Sequence, residues 1–166
     1  MIGIKCDRIL AIVMDYQRRN MMNYHVDVLL EHHEAFVTYL NTSLKEFNNE
    51  HSSYHKEIRK KGTAPINIIV SDNDEWVGGL TAEVYWGWLE INKFWFSEQY
   101  RRQGLGEKLL SQAEATASKM GATKALLTTY DFQARSFYEA RGYRVVGEIK
   151  DYPPGSSYYT MVKHLL

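Results

Sequence analysis

The chain is 166 residues long and carries 20 Lys and Arg against 20 Asp and Glu, a formal net charge of zero with histidines neutral. That length suits one domain with at most an appendage. A hydrophobic share of 45% excludes a disordered tail, and the balanced charge excludes a surface that is one basic footprint for nucleic acid, while leaving room for a small anion site. The lone cysteine, Cys6, excludes an internal disulfide framework and a cysteine-based zinc cluster. It fits a reducing, cytoplasmic setting.

No apolar run approaches the ~18 residues that span a bilayer, and Ile9–Met14 has neither the length nor the cleavage site of a secretory signal. No membrane association is expected. Arg8–Met14 is a candidate strand; residues 1–20 read as an extension, and residues 21–166 as a single domain whose start lies near Asn23. His25–Leu30 alternates, with Val26, Val28 and Leu30 on one side, and predicts a strand. His33–Asn49 predicts a helix, because Phe36, Leu40, Leu44 and Phe47 recur at steps of three and four. His51–Ala64 reads as a polar connector, its Arg59-Lys60-Lys61 cluster most simply solvated. Strands are expected at Ile66–Val70, at Trp76–Tyr85 after the Asp72-Asn73-Asp74 turn, and at Trp88–Phe96 after a hairpin at Gly87. Gly104–Met120 predicts a helix with Leu105, Leu109, Ala113 and Ala117 on one stripe and Gly121 as its stop. Lys124–Thr129 is a strand, Gln133–Arg141 a short helix ended by Gly142, and Tyr143–Ile149 and Ser157–Lys163 are strands joined through Pro153-Pro154-Gly155. This order implies an α/β protein with a mixed sheet and crossover helices that impose locally parallel pairing.

The stretch from Phe94 to Gly106 takes a strand through a glycine-containing loop into a helix. Such a start leaves backbone N–H groups without partners. Gly104 and Gly106 lack a Cβ and allow close approach, and the helix dipole favours negative charge by ~0.3–1 kcal/mol. Arg101, Arg102 and Lys108 outweigh the single nearby acid, Glu107, so a phosphate or pyrophosphate is the natural ligand. The dinucleotide fingerprint would need glycine where Leu109 stands, and the P-loop would need Gly-Lys-Ser/Thr where the chain reads Gly106-Glu107-Lys108.

Arg101-x-x-Gly104-x-Gly106 after a strand resembles the acetyl-CoA loop of the GNAT superfamily of acetyl-CoA-dependent N-acyltransferases. Downstream, Ala134-Arg135-Ser136-Phe137-Tyr138-Glu139-Ala140-Arg141-Gly142-Tyr143 resembles that family's Ala-x-x-Phe-Tyr-x-x-x-Gly-Phe/Tyr helix. The resemblance covers residues 66–149 and implies a partly splayed central sheet flanked by helices. It implies acetyl-CoA as cosubstrate, with no metal. Backbone N–H groups of Arg102, Gln103, Gly104, Leu105, Gly106 and Glu107 would hold the pyrophosphate, helped by Arg101. The main chain of Phe94, Trp95 and Phe96 would pair with the pantetheine arm, a local bulge opening the slot; core packing is the simpler reading for those three side chains. Asp131 is the candidate contact to the pantetheine arm from the other side; it stands where many relatives carry an asparagine, so a carboxylate takes the place of the side-chain amide.

Tyr138 matches the family tyrosine near the thioester sulfur, where a hydroxyl can protonate the departing thiolate. An alkylamine is largely protonated at neutral pH and must lose a proton to attack. Glu90 is the candidate base, directly or through water; its parity with Phe94 and Phe96 would turn it toward the same slot. Glu83 on the adjacent strand and ordered water alone are the alternatives. A backbone N–H near Phe96 would stabilise the oxyanion. Tyr85, Trp86 and Trp88 form either an apolar or cation–π wall for the acceptor or a brace for the hairpin. His32-His33 and His51-x-x-x-His55 lack a third ligand and read as solvated. The reading is acetyl transfer to a primary amine of a small molecule or peptide, by direct attack, in a monomer or homodimer that binds no nucleic acid. A non-catalytic module binding CoA or another phosphate ligand is the alternative.

Overall fold

The computed structural model describes residues 24–165. They fall into two compact units that divide between Phe47 and Asn48. The candidate strand Arg8–Met14 lies outside the described residues.

In the first unit, the predicted strand at His25–Leu30 does not form; residues 24–29 have no regular structure. Alternation supplies only a propensity, and a strand needs a hydrogen-bonded neighbour, whereas none of the described residues before Ala64 joins the sheet. The predicted helix is present as α1, Glu34–His51, and runs across the division between the units. His33 caps it, its Nδ1 accepting the Phe36 N–H at 3.2 Å.

The second unit corrects the connector. Ser53–Lys61 is a helix, α2. Ser52 is its N-cap, with Oγ accepting the His55 N–H at 3.3 Å, and Gly62 closes it at φ +76°. Only His55 and Ile58 on this helix are half-buried, so the apolar stripe that announces a helix is nearly absent.

Six strands follow: β1 (Ala64–Asp72), β2 (Glu75–Tyr85), β3 (Trp88–Phe96), β4 (Lys124–Tyr130), β5 (Arg144–Lys150) and β6 (Ser157–His164). They form one sheet in the order β1-β2-β3-β4-β6-β5. β3 and β4 are the parallel pair, and the helix α3, Leu105–Lys119, makes the crossover between them. Pro65 is tolerated inside β1 because β1 is an edge strand. The second short helix, α4, is Arg135–Glu139, shorter than expected at both ends. The mixed sheet flanked by helices is the architecture the sequence implied.

The core lies on one face of this sheet. Leu80, Leu89, Leu127 and Met161 are fully buried there with Leu110 of α3, each worth about 1.5–3 kcal/mol by removal from water. The buried stripe of α3 is Leu109, Leu110, Ala113 and Ala117. Leu105, expected on that stripe, sits in the first turn and is only half-buried. A polar clasp closes the far end of α3: Lys163 Nζ donates to Glu114 at 2.6 Å and the Tyr143 hydroxyl donates to the other Glu114 oxygen at 3.0 Å. No helix among the described residues is long and apolar enough to cross a membrane.

Candidate active site

β3 pairs with β4 from Trp88–Lys124 to Ile91–Leu127 and no further. Beyond that point β3 stays with β2 up to Phe96, while β4 stays with β6 up to Tyr130. Residues 92–96 and 128–130 therefore turn edges toward one another that make no ladder with each other, and the sheet opens as a wedge. The cause is a bulge. Thr81 opposes Lys93 and Ala82 opposes Ile91, so Asn92 is an extra residue in β3, which bends the strand and increases its twist.

The bulge also exchanges the faces of β3. Directly paired residues point to the same side; Leu80, Ala82 and Val84 oppose Phe94, Ile91 and Leu89. Phe94 and Phe96 therefore stand on the core face, whereas Glu90, opposite Glu83, stands on the other. The parity argument that aligned Glu90 with the two phenylalanines is corrected: the extra residue shifts the core-facing alternation from Leu89 and Ile91 to Phe94 and Phe96. Phe96 is buried and Trp95 exposed, so the side chains of this segment face the core and solvent in turn.

At the end of β3 a single 3-10 turn, Glu98–Tyr100, leads into the glycine loop. Arg102 has φ +60° and Gly104, the N-cap of α3, φ +79°, so the loop presents successive amides in a left-handed bend. The N–H groups of Arg102 through Glu107 find no acceptor among the described residues; the first capped amide is that of Lys108, on the Gly104 carbonyl at 3.2 Å. A Cβ at Gly104 would meet nothing within 4 Å. That combination of free donors and open space fits an anionic phosphate group. Gly106 is there for another reason: its Cβ would lie 3.3 Å from the Phe137 ring, so it seats the first turn of α3 on α4.

The side chains of the loop serve mainly to hold it. Arg101 Nε donates to the Phe96 carbonyl at 2.8 Å, Gln103 Nε2 to the Gln99 carbonyl at 2.7 Å, and the Tyr100 hydroxyl to Asp72 at 2.6 Å. Glu107 is paired with Arg141 Nη2 at 3.1 Å, which offsets the one negative charge beside the free amides. Asp131 is likewise engaged: its carboxylate accepts from Ser156 Oγ, the Ser157 N–H and the Phe132 N–H at 2.8, 3.1 and 2.8 Å, tying the end of β4 to the start of β6. The Ser156 bond chiefly holds this carboxyl below its usual range.

Tyr138 is on α4, buried among Phe137 and Tyr143, with ring centroids 5.1 and 5.6 Å away. Burial pushes its phenol up to about 12, so it stays protonated throughout the physiological range. Its hydroxyl makes no hydrogen bond among the described residues. On the opposite face of the sheet, Tyr85, Trp86, Trp88, Glu90 and Leu126 line a cavity of about 200 Å³. Trp86 is braced by α2: its Nε1 donates to the Tyr54 carbonyl at 3.2 Å and His55 lies 4.7 Å from its ring. Trp88 receives Lys124 Nζ 5.1 Å from its centroid. The hairpin aromatics therefore line the cavity, and Trp86 also ties the hairpin to α2, a contact that only the helical form of residues 53–61 brings within reach.

The profile of the acetyltransferase (GNAT) family matches residues 27–143. The chain belongs to that GNAT family. Among its relatives is the blasticidin-S acetyltransferase of Streptomyces morookaense, 34% identical over 130 residues that make up 74% of this chain and 96% of the relative. Among solved structures, an acetyltransferase of Bacillus cereus superposes with a TM-score of 0.74 at 27% identity, covering 86% of this chain and 98% of that one. Another, from Agrobacterium tumefaciens, gives 0.64 at 26% identity, covering 86% and 99%. The chain is accordingly an acetyltransferase by family.

Proposed function

We propose that this GNAT protein transfers the acetyl group of acetyl-CoA to a primary amine of a small-molecule or peptide acceptor, by direct attack in a ternary complex. The observation that carries the reading is the wedge: β3 and β4 part after Ile91 and Leu127, and the six unpartnered amides of residues 102–107 stand at the end of the freed strand. The main chain of Phe94–Phe96 pairs with the pantetheine arm, the amides of Arg102–Glu107 take the pyrophosphate, and Arg101 and Asp131 hold the two margins of the opening. The amine sits in the cavity of Tyr85, Trp86, Trp88, Glu90 and Leu126.

The chemistry balances with few parts. The amine nitrogen attacks the thioester carbonyl, a C–N bond forms and the C–S bond breaks. The proton shed by the amine goes to Glu90, directly or through water, and the Tyr138 hydroxyl donates to the departing sulfur. The relative's name makes blasticidin S the first acceptor to try. The test is thiol release from acetyl-CoA with blasticidin S, polyamines, amino acids and peptides as a panel. Turnover with one of them, reduced about 100-fold by Tyr138→Phe, is expected. CoA binding by calorimetry without turnover across the panel would instead make the protein a binding module.

A further inference from the structure

Tyr85 has no part in the chemistry above except as a wall, yet its hydroxyl donates to Glu90 Oε2. The register explains how it reaches. Tyr85 opposes Trp88 and Glu83 opposes Glu90, so Tyr85 and Glu90 are diagonal neighbours on one face, a spacing of roughly 7–8 Å that an aromatic side chain bridges. The ring is held from behind as well. Trp86 lies 5.1 Å from it at 69°, and Trp86 occupies a left-handed conformation at φ +52° before Gly87 at φ +76°. Two successive positive φ values make the tight turn whose twist matches a hairpin. A tryptophan in the first of them is strained, and such strain persists only where surroundings enforce it; here α2 does so, through the Tyr54 carbonyl and His55.

Resting on the assignment of Glu90 as base, we propose that Tyr85 is a positioning residue: its phenol fixes one carboxylate oxygen of Glu90, so that the other is presented to the acceptor amine. Across the ladder Glu90 faces Glu83, a second carboxylate that offers no donor, and on the β4 side it faces Leu126. Lys124 is turned to Trp88, and His55 lies behind Trp86. The phenol is therefore the hydroxyl donor built against this carboxylate. The bond to Glu90, with burial and the nearby charges of Glu90 and Glu83, pushes Tyr85 up to about 12, so the donor keeps its proton at every pH at which an amine acceptor is turned over.

The experiment is a double-mutant cycle, because a purely structural role for Tyr85 would not depend on Glu90. Tyr85→Phe keeps the ring and the cavity wall. With blasticidin S as acceptor, it is expected to lower kcat about tenfold, the scale of one hydrogen bond to a charged group, while the KM for acetyl-CoA stays within twofold. In a Glu90→Gln background the same substitution is expected to have no further effect. Additive losses overturn the proposal, as does a Tyr85→Phe enzyme with unchanged kcat beside a crippled Glu90→Gln enzyme. A fully active Glu90→Gln enzyme instead removes Glu90 as base, and the proposal with it. A measurement that needs no acceptor completes the test: in tyrosine labelled at Cζ, the Tyr85 resonance should titrate near 12 in the native protein and fall toward 10 in Glu90→Gln. An unmoved midpoint refutes the bond.

Discussion

Tyr138 offers the sharpest test, because one atom of it carries both a stability and a catalytic expectation. Removing its hydroxyl as Tyr138→Phe leaves the ring, its packing on Phe137 and Tyr143, and the core unchanged. Burial raises the folded phenol to about 12 from the ordinary 10. A folded value above the unfolded one means that the group favours the fold fully below pH 10, and that this contribution is lost as pH rises toward 12, where the unfolded chain ionises and the folded one does not. At 1.36 kcal/mol per unit, the native protein should lose about 2 kcal/mol by about pH 11.5 that the Tyr138→Phe protein keeps. The assay is urea unfolding of both proteins in parallel from pH 8 to pH 11.5. Tyr143, pushed up further by burial, by Glu114 and least by Tyr138 itself, is present in both and cancels in the difference apart from that last coupling. If the stability difference stays flat across that range, Tyr138 is not shielded from water as the structure has it. A hydroxyl that open to solvent would also be no place to receive a departing thiolate.

Other consequences are simpler. Gly104→Ala should cost about 1 kcal/mol, since left-handed backbone disfavours alanine by about 1–2 kcal/mol while its stiffer unfolded chain returns about 0.4–1; the side chain itself has free space. Gly104→Asn should cost less, as Asn enters that region more readily, and a urea midpoint that ranks Asn below Ala would contradict the argument. Glu114→Ala strands the Lys163 ammonium and the Tyr143 hydroxyl, in a clasp whose charged side chains are only 13% and 24% exposed. A loss of about 2–3 kcal/mol is expected by thermal unfolding, recovered only in part in Glu114→Met/Lys163→Met, where the ammonium is gone but the Tyr143 hydroxyl still lacks its acceptor. Acetyl-CoA affinity, measured by calorimetry at low temperature, should stay unchanged in that variant.

Much of the fold was readable because its signals are local. The stripe of α3, the turn at Asp72-Asn73-Asp74, and the alternation of β2 each fall within a single helix, turn or strand. The segment His25–Leu30 alternated as well, yet no ladder receives it. α2 gave the opposite error: Ser52 and Gly62 cap it from both ends, but with little apolar surface of its own it owes its place to contacts with the hairpin turn, which are distant in the chain. At the site, the glycine loop and the α4 tyrosine were legible as motifs. The orientation of Glu90, the partner of its carboxylate, and the packing purpose of Gly106 were not.

By itself, the amino-acid sequence determined the family, the loop of free amides between β3 and α3, and the tyrosine on α4, since each depends on residues that are near neighbours along the chain. Only the tertiary structure decided which way β3 presents its side chains. One extra residue, Asn92, reverses the faces of the strand, and whether a residue is extra is defined by the partner strand across the ladder. The same holds for Tyr85 and Glu90: five positions apart in sequence, they meet because a two-residue turn folds β3 back along β2 in one register and no other.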